Sequence, residues 1–212
     1  MNLPTKITFS RIIAIILMII TLVVFNFVNC DGLIVNLGNT SINIVFFFVF
    51  IIFVIASFTD FLDGYLARKN NEVTNLGKFL DPVADKLLIN SMIIFLVAPS
   101  ISAPYVGEGQ LSISVWCAII FVVRDIVVDA IRFIGAQKNV VIAANIFGKA
   151  KTVLQMVAIS LVLLNGWPFS CFDASWPIGL HITDFVVSLA TLVSLLSGII
   201  YVVQNRKVLT NK

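Results

Sequence analysis

The chain has 212 residues, of which 59% are hydrophobic and 12% charged, and its mean hydropathy is +1.06. The charged fraction is about half of that in soluble domains, so the composition excludes an ordinary soluble protein and predicts an all-α integral membrane protein. A net charge of +3 with no soluble domain to carry it also argues against nucleic acid as a partner.

Six apolar segments follow one another along the chain and predict six transmembrane helices. The predicted segments are 8–28, 42–58 with a polar continuation, 74–98, 111–123 continuing through Arg132, one ending near Leu164, and 182–203. Stretches rich in Gly, Pro and Asn predict loops at 31–41, 98–109 and 165–179. Cys171 falls in the last of these loops and Cys30 lies directly before the first, so a disulfide is open geometrically but not indicated by spacing.

The third segment contains Pro82, which admits two interpretations. Either one helix is kinked there, because proline releases the carbonyl of Lys78, or a new helix begins at Pro82. The kinked helix is favoured because it keeps Gly77, Asp81 and Asp85 on one face.

Basic residues indicate the orientation of the chain. If the N-terminus is cytoplasmic, all 14 Lys and Arg lie in inner segments, and the outer loops carry only Asp31, Glu108 and Asp173. Such asymmetry predicts six spans with both termini cytoplasmic. Because the chain shows no internal repeat and no linker, it is predicted to form one membrane domain over residues 1–212.

A group of acidic residues lies at the cytoplasmic junction of the second and third segments. Asp60 and Asp63 are spaced i,i+3, while Gly77, Asp81 and Asp85 recur every four residues, so each set shares one helix face. Four carboxylates gathered on facing helices would repel each other unless a cation lay between them. Divalent metal ions with hard oxygen ligands are the natural occupants.

Together the two helices read D-x2-D-G-x2-A-R-x8-G-x3-D-x3-D, which resembles the signature of the CDP-alcohol phosphotransferases. The resemblance covers the whole chain and implies a cell-membrane enzyme that joins an alcohol to a phosphatidyl group and releases CMP. It also implies two Mg2+ or Mn2+ ions and a homodimer. The positions that match are Asp60, Asp63, Gly64, Ala67, Arg68, Gly77, Asp81 and Asp85.

The resemblance also implies roles for these residues. Asp60, Asp63, Asp81 and Asp85 would bind the metal ions, and Asp85 is also the candidate base for the acceptor hydroxyl. The small residues would leave room for the CDP group, although tight helix packing is the alternative. Arg68 would contact phosphate oxygens, or else anchor the chain at the membrane surface. The small residues are Gly64, Ala67 and Gly77.

Three further stretches, 2–11, 124–132 and 148–155, resemble the family members whose acceptor is glycerol 3-phosphate. The predicted reaction therefore uses CDP-diacylglycerol and glycerol 3-phosphate at the lipid surface and yields phosphatidylglycerophosphate. Inositol phosphate, serine and phosphatidylglycerol stay open as acceptors. A phosphorylated acceptor needs a second anion site. Asp125 and Asp129 could orient the arginines of that site. The candidate cations are Arg124, Arg132, Lys149 and Lys151, with Lys138 and Arg11 behind them.

A cation transporter with intramembrane carboxylates is the alternative from another functional class. Its site would lie near the bilayer midplane, between related repeats with broken helices. The acids of this chain instead lie on the side that carries every basic residue, which disfavours transport.

Overall fold

The computed structural model describes residues 3–27, 34–37, 40–70, 75–97, 110–138, 140, 142, 146–173 and 181–206. The side chains of residues 3–7 and 60–79, and of a few single positions, lie outside this description. The described residues include six helices of 18 to 27 residues and one short helix. They are α1 (Leu3–Phe27), α2 (Ile44–Asn70), α3 (Asn75–Val97), α4 (Val115–Gln137), α5 (Ile146–Leu163), the short α6 (Ser170–Asp173) and α7 (Ile182–Gln204).

The predicted apolar segments correspond closely to these helices. α3 continues through Pro82 as one helix, so no new helix begins there. α4 begins at Val115, four residues later than predicted. The preceding residues are not helical, because the amide of Leu111 donates to Asn165 Oδ1 at 2.9 Å and that of Ile113 donates to the Leu96 carbonyl at 2.8 Å.

A small β-hairpin corrects the all-α prediction. Strands β1 (Ile34–Leu37) and β2 (Thr40–Asn43) pair antiparallel, with Leu37 opposite Thr40. The prediction of a loop over the whole of 31–41 was therefore wrong. Several residues of the two arms are β-branched, and the two residues between them are Gly and Asn, which is a hairpin signal.

Helix length and surface character are consistent with a membrane protein. Within the described ranges, α7 has the length and hydropathy of a membrane span, and its 23 residues extend over about 34 Å. Shorter apolar stretches cover Thr8–Val24 in α1 and Ile44–Thr59 in α2. Many large apolar side chains on these helices are exposed, among them Leu192 and Ile199. Apolar surface of this extent suits a lipid environment.

The helices pack in two groups that meet at a shared core. α1 packs on α2 and α3, and both α4 and α5 pack on α7. Phe46, Phe53, Met92 and Ile159 are almost fully buried where the groups join. This packing brings α3, α4 and α5 together around a polar cavity.

Candidate active site

A cavity of about 200 Å³ lies between α3, α4 and α5, and its walls are mainly charged. Five cationic and three anionic side chains line it, so positive charge is in excess. Such a cavity favours an anionic ligand. The charged lining residues are Asp85, Lys86, Arg124, Asp125, Asp129, Arg132, Lys149 and Lys151.

Asp125 is the central counter-charge of this cavity. Lys151 Nζ lies 2.8 Å and 2.9 Å from its two carboxylate oxygens, and Arg124 Nη1 lies 3.0 Å from Oδ1. Lys151 is only 3% exposed, so its ammonium depends on this carboxylate for charge compensation. Asp125 therefore links α4 to α5 and holds two cations at the cavity wall.

Asp129, one turn further along α4, pairs with Lys86 of α3. Sequence reasoning linked both acids to the arginines. Asp125 does contact Arg124, whereas the ion-pair partner of Asp129 is Lys86. Lys86 was not among the candidate site residues, because on the sequence it is one more cytoplasmic lysine.

The two arginines of α4 reach α7. Arg124 Nη2 donates to Ser197 Oγ at 2.6 Å, and Arg132 Nε donates to Tyr201 Oη at 3.1 Å. The guanidinium carbon of Arg132 also lies 5.7 Å from the centre of the Tyr201 ring, within cation–π range. Sequence reasoning missed Ser197 and Tyr201, since they belong to an otherwise apolar span.

The acidic motif is described in part. Thr8 Oγ1 of α1 donates to Asp81 Oδ1 at 2.8 Å, and Asp85 lies one turn after Asp81 on α3. Two carboxylates at this spacing fit part of the coordination shell of a divalent cation. Asp60 and Asp63 lie in the last third of α2, and their side chains are outside the described part. No cluster of three ligands occurs among the described side chains.

The structure brings together most of the predicted acceptor-site residues. Arg124, Arg132, Lys149 and Lys151 line the cavity, and Asp85 lines it with them. The other two candidates are not part of its lining: Lys138 is exposed just after α4, and Arg11 is buried in α1.

The predicted CDP-binding residues are described only through the backbone. Gly64, Ala67 and Arg68 lie in α2, and Gly77 lies in the first turn of α3. Their side-chain surroundings are outside the described part.

Comparisons with known proteins agree with the pattern in the sequence. Residues 1–203 match the family described as CDP-alcohol phosphatidyltransferase. A Bacillus subtilis protein named CDP-diacylglycerol–glycerol-3-phosphate 3-phosphatidyltransferase is 39% identical over 205 residues, which cover 96% of this chain and 95% of the relative. A Rickettsia bellii protein of the same name is 36% identical, covering 77% and 76% of the two chains. One from Mycoplasma genitalium is 40% identical, covering 72% and 61%.

Proposed function

Because the chain belongs to the CDP-alcohol phosphatidyltransferase family, we propose that it transfers the phosphatidyl group of CDP-diacylglycerol to glycerol 3-phosphate. The products are phosphatidylglycerophosphate and CMP. The relatives from three bacterial genera carry this acceptor in their names and match most of the chain. The chain is an enzyme of a membrane family, and its helices have the apolar surfaces that such a family requires.

One observation supports the choice of acceptor. Asp85 lines the same cavity as four cationic side chains that sequence reasoning assigned to the acceptor phosphate. A phosphate held by these cations keeps the rest of a small acceptor close to the Asp85 carboxylate. A polar cavity of about 200 Å³ suits a small phosphorylated alcohol. The four cations are Arg124, Arg132, Lys149 and Lys151.

The proposed reaction is a displacement at phosphorus. The hydroxyl oxygen of the acceptor attacks the β-phosphorus next to the diacylglycerol. As it does so, the Asp85 carboxylate accepts the hydroxyl proton. The new oxygen–phosphorus bond forms as the bond to the CMP phosphate breaks, and CMP leaves. Arg124 and Arg132 hold the acceptor through charge-assisted hydrogen bonds, which strengthen orientation as well as affinity.

Two divalent ions are part of this proposal. Asp60, Asp63, Asp81 and Asp85 would hold them, with Thr8 orienting the Asp81 carboxylate. When bound, such ions neutralise the diphosphate and stabilise the departing CMP phosphate. Gly64, Ala67, Arg68 and Gly77 stay the predicted contacts of the CDP group.

Removal of divalent metal is expected to abolish turnover, because the four carboxylates would then repel each other and the diphosphate. CMP release would be measured with purified protein before and after chelation, and again after Mg2+ or Mn2+ is restored. Na+ at equal ionic strength is the control for general charge screening. Full activity in the chelated sample would contradict the assignment of the acids.

The acceptor is tested directly by competition. Purified protein with CDP-diacylglycerol would receive glycerol 3-phosphate, inositol phosphate, serine or phosphatidylglycerol, and the lipid products would be separated. Glycerol 3-phosphate is expected to react far faster than serine, which carries no phosphate, since the cationic cavity discriminates by the phosphate. Preferred use of serine would contradict the proposal.

Several finer features stay predictions. The six spans, the cytoplasmic termini and the placement of the site on the cytoplasmic side of the cell membrane follow from the distribution of basic residues. The homodimer is implied only by the family resemblance.

A further inference from the structure

The last helix, α7, carries a buried polar stripe within an apolar sequence. Ser194, Ser197, Gly198 and Tyr201 follow the spacing i, i+3, i+4, i+7, so they share one face. All four are buried. The described packing places α7 against α4 and α5, which carry four of the five cations of the cavity. The stripe therefore lies behind the cavity and outside its lining.

Two members of the stripe each hold one cavity arginine. Ser197 accepts from Arg124 Nη2, and Tyr201 accepts from Arg132 Nε while its ring lies beneath the guanidinium. Because Tyr201 uses only the Nε hydrogen, the four hydrogens on the terminal nitrogens of Arg132 are not used by this bond. Those hydrogens form the fork that recognises phosphate.

Gly198 sets the path of the Arg124 side chain. A Cβ atom at Gly198 would lie 2.9 Å from Arg124 Cγ and 3.8 Å from its Cβ. The aliphatic stem of Arg124 thus passes directly over the helix backbone. Any larger residue would force this stem, and the guanidinium at its end, away from Ser197.

We propose that Ser197, Gly198 and Tyr201 are positioning residues of the acceptor-phosphate site. They hold both guanidinium groups in place before the acceptor arrives, so that less side-chain freedom is lost on binding. The inference rests on the proposed function, since it assumes that Arg124 and Arg132 bind the acceptor phosphate. It goes beyond that proposal by making α7, which contributes no residue to the cavity wall, a determinant of acceptor affinity.

The stripe supplies its own matched control. Ser197→Ala removes the oxygen that accepts from Arg124, while Ser194→Ala makes the same change one turn earlier on the same buried face. No hydrogen-bond partner of the Ser194 hydroxyl occurs among the described residues. Tyr201→Phe removes the oxygen that faces Arg132 but keeps the ring.

Steady-state kinetics would be measured for both substrates. Ser197→Ala and Tyr201→Phe are each expected to raise the KM for glycerol 3-phosphate by about 2–12-fold, because the guanidinium groups that contact the phosphate remain and only their fixed orientation is lost. Both kcat and the KM for CDP-diacylglycerol should stay near the original values, and Ser194→Ala should change neither KM. The affinity of the resting protein for inorganic phosphate, measured by calorimetry, should fall in the same two variants.

Arg132→Ala separates this inference from the proposed function. It should raise the KM for glycerol 3-phosphate by about 10–150-fold, as expected for hydrogen bonds to a charged group. If Arg132→Ala leaves that KM unchanged, the acceptor site itself is wrong and the inference falls with it. If Arg132→Ala raises it but Ser197→Ala and Tyr201→Phe behave like Ser194→Ala, only the positioning role is overturned. Equal increases in both KM values would also overturn it, because they would indicate general loosening of the helices.

Discussion

Asp85→Asn is expected to lower kcat by about 10²–10⁴-fold, the usual contribution of a general base. The amide cannot accept the proton of the acceptor hydroxyl, and it is a weaker ligand for a divalent cation than a carboxylate. Asp85 is the one residue of the acidic motif that also lines the cationic cavity within the part of the chain that the structure describes. Loss of the Asp85 carboxylate should therefore lower kcat more strongly than it changes the affinity for either substrate.

The measurement is CMP release by the purified variant at saturating concentrations of both substrates. Asp184→Asn is the matched control, since Asp184 is an aspartate in the first turn of α7 whose carboxylate accepts from the His181 amide at 3.2 Å. That control should retain turnover close to the unmodified protein. Both variants should be recovered from the membrane in similar amounts. A kcat for Asp85→Asn within twofold of the original would remove Asp85 from the proposed mechanism.

Asp125→Asn is expected to cost stability more than any other single change of a described acid. Lys151 is almost fully buried and contacts both oxygens of Asp125, and Arg124 shares one of them. Removing one partner of a buried ion pair costs about 3–5 kcal/mol, because the remaining charge is left uncompensated. For a chain of this size that corresponds to a fall of about 6–20 °C in the thermal midpoint.

Asp129→Asn provides the comparison on the same helix. Its partner Lys86 is 33% exposed and Asp129 itself 28% exposed, so water compensates for much of what is lost. The expected cost is at most about 1 kcal/mol. Thermal unfolding of the two variants in the same detergent would test the difference. Equal thermal midpoints of the two variants would show that the buried pair of Lys151 and Asp125 contributes no more to stability than the partly exposed pair of Lys86 and Asp129.

Much of the helical framework was predictable because apolar runs long enough for a bilayer have few other solutions. The bounds of α7 follow from such a run, whereas α2 begins two residues after its run and continues to Asn70, twelve residues beyond it. α3 continues through Pro82, as the spacing of Gly77, Asp81 and Asp85 favoured. The hairpin at 34–43 was not predicted, because Gly and Asn indicate a loop, although the residues on either side favour strands.

The candidate site, too, could be predicted from the sequence only in part. Residue type and resemblance predicted Arg124, Arg132, Lys149 and Lys151 as phosphate ligands, and all four line the cavity. Ion-pair partners depend on how helices rotate against each other, so the pairing of Asp129 with Lys86 could not be read from spacing. The contribution of α7 was hidden for another reason. Serine and tyrosine in an apolar span have many possible roles, and only the packing shows that two of them contact arginine.

The contact of Thr8 with Asp81 and that of Ser197 with Arg124 each join residues 73 positions apart. During translation, both residues of the contact between Thr8 and Asp81 are therefore present before those of the contact between Ser197 and Arg124. A nascent chain that has inserted α1 to α5 already carries the complete acidic motif and every cation of the cavity. It still lacks α7, so the contacts of Arg124 with Ser197 and of Arg132 with Tyr201 can form only after α7 has left the ribosome.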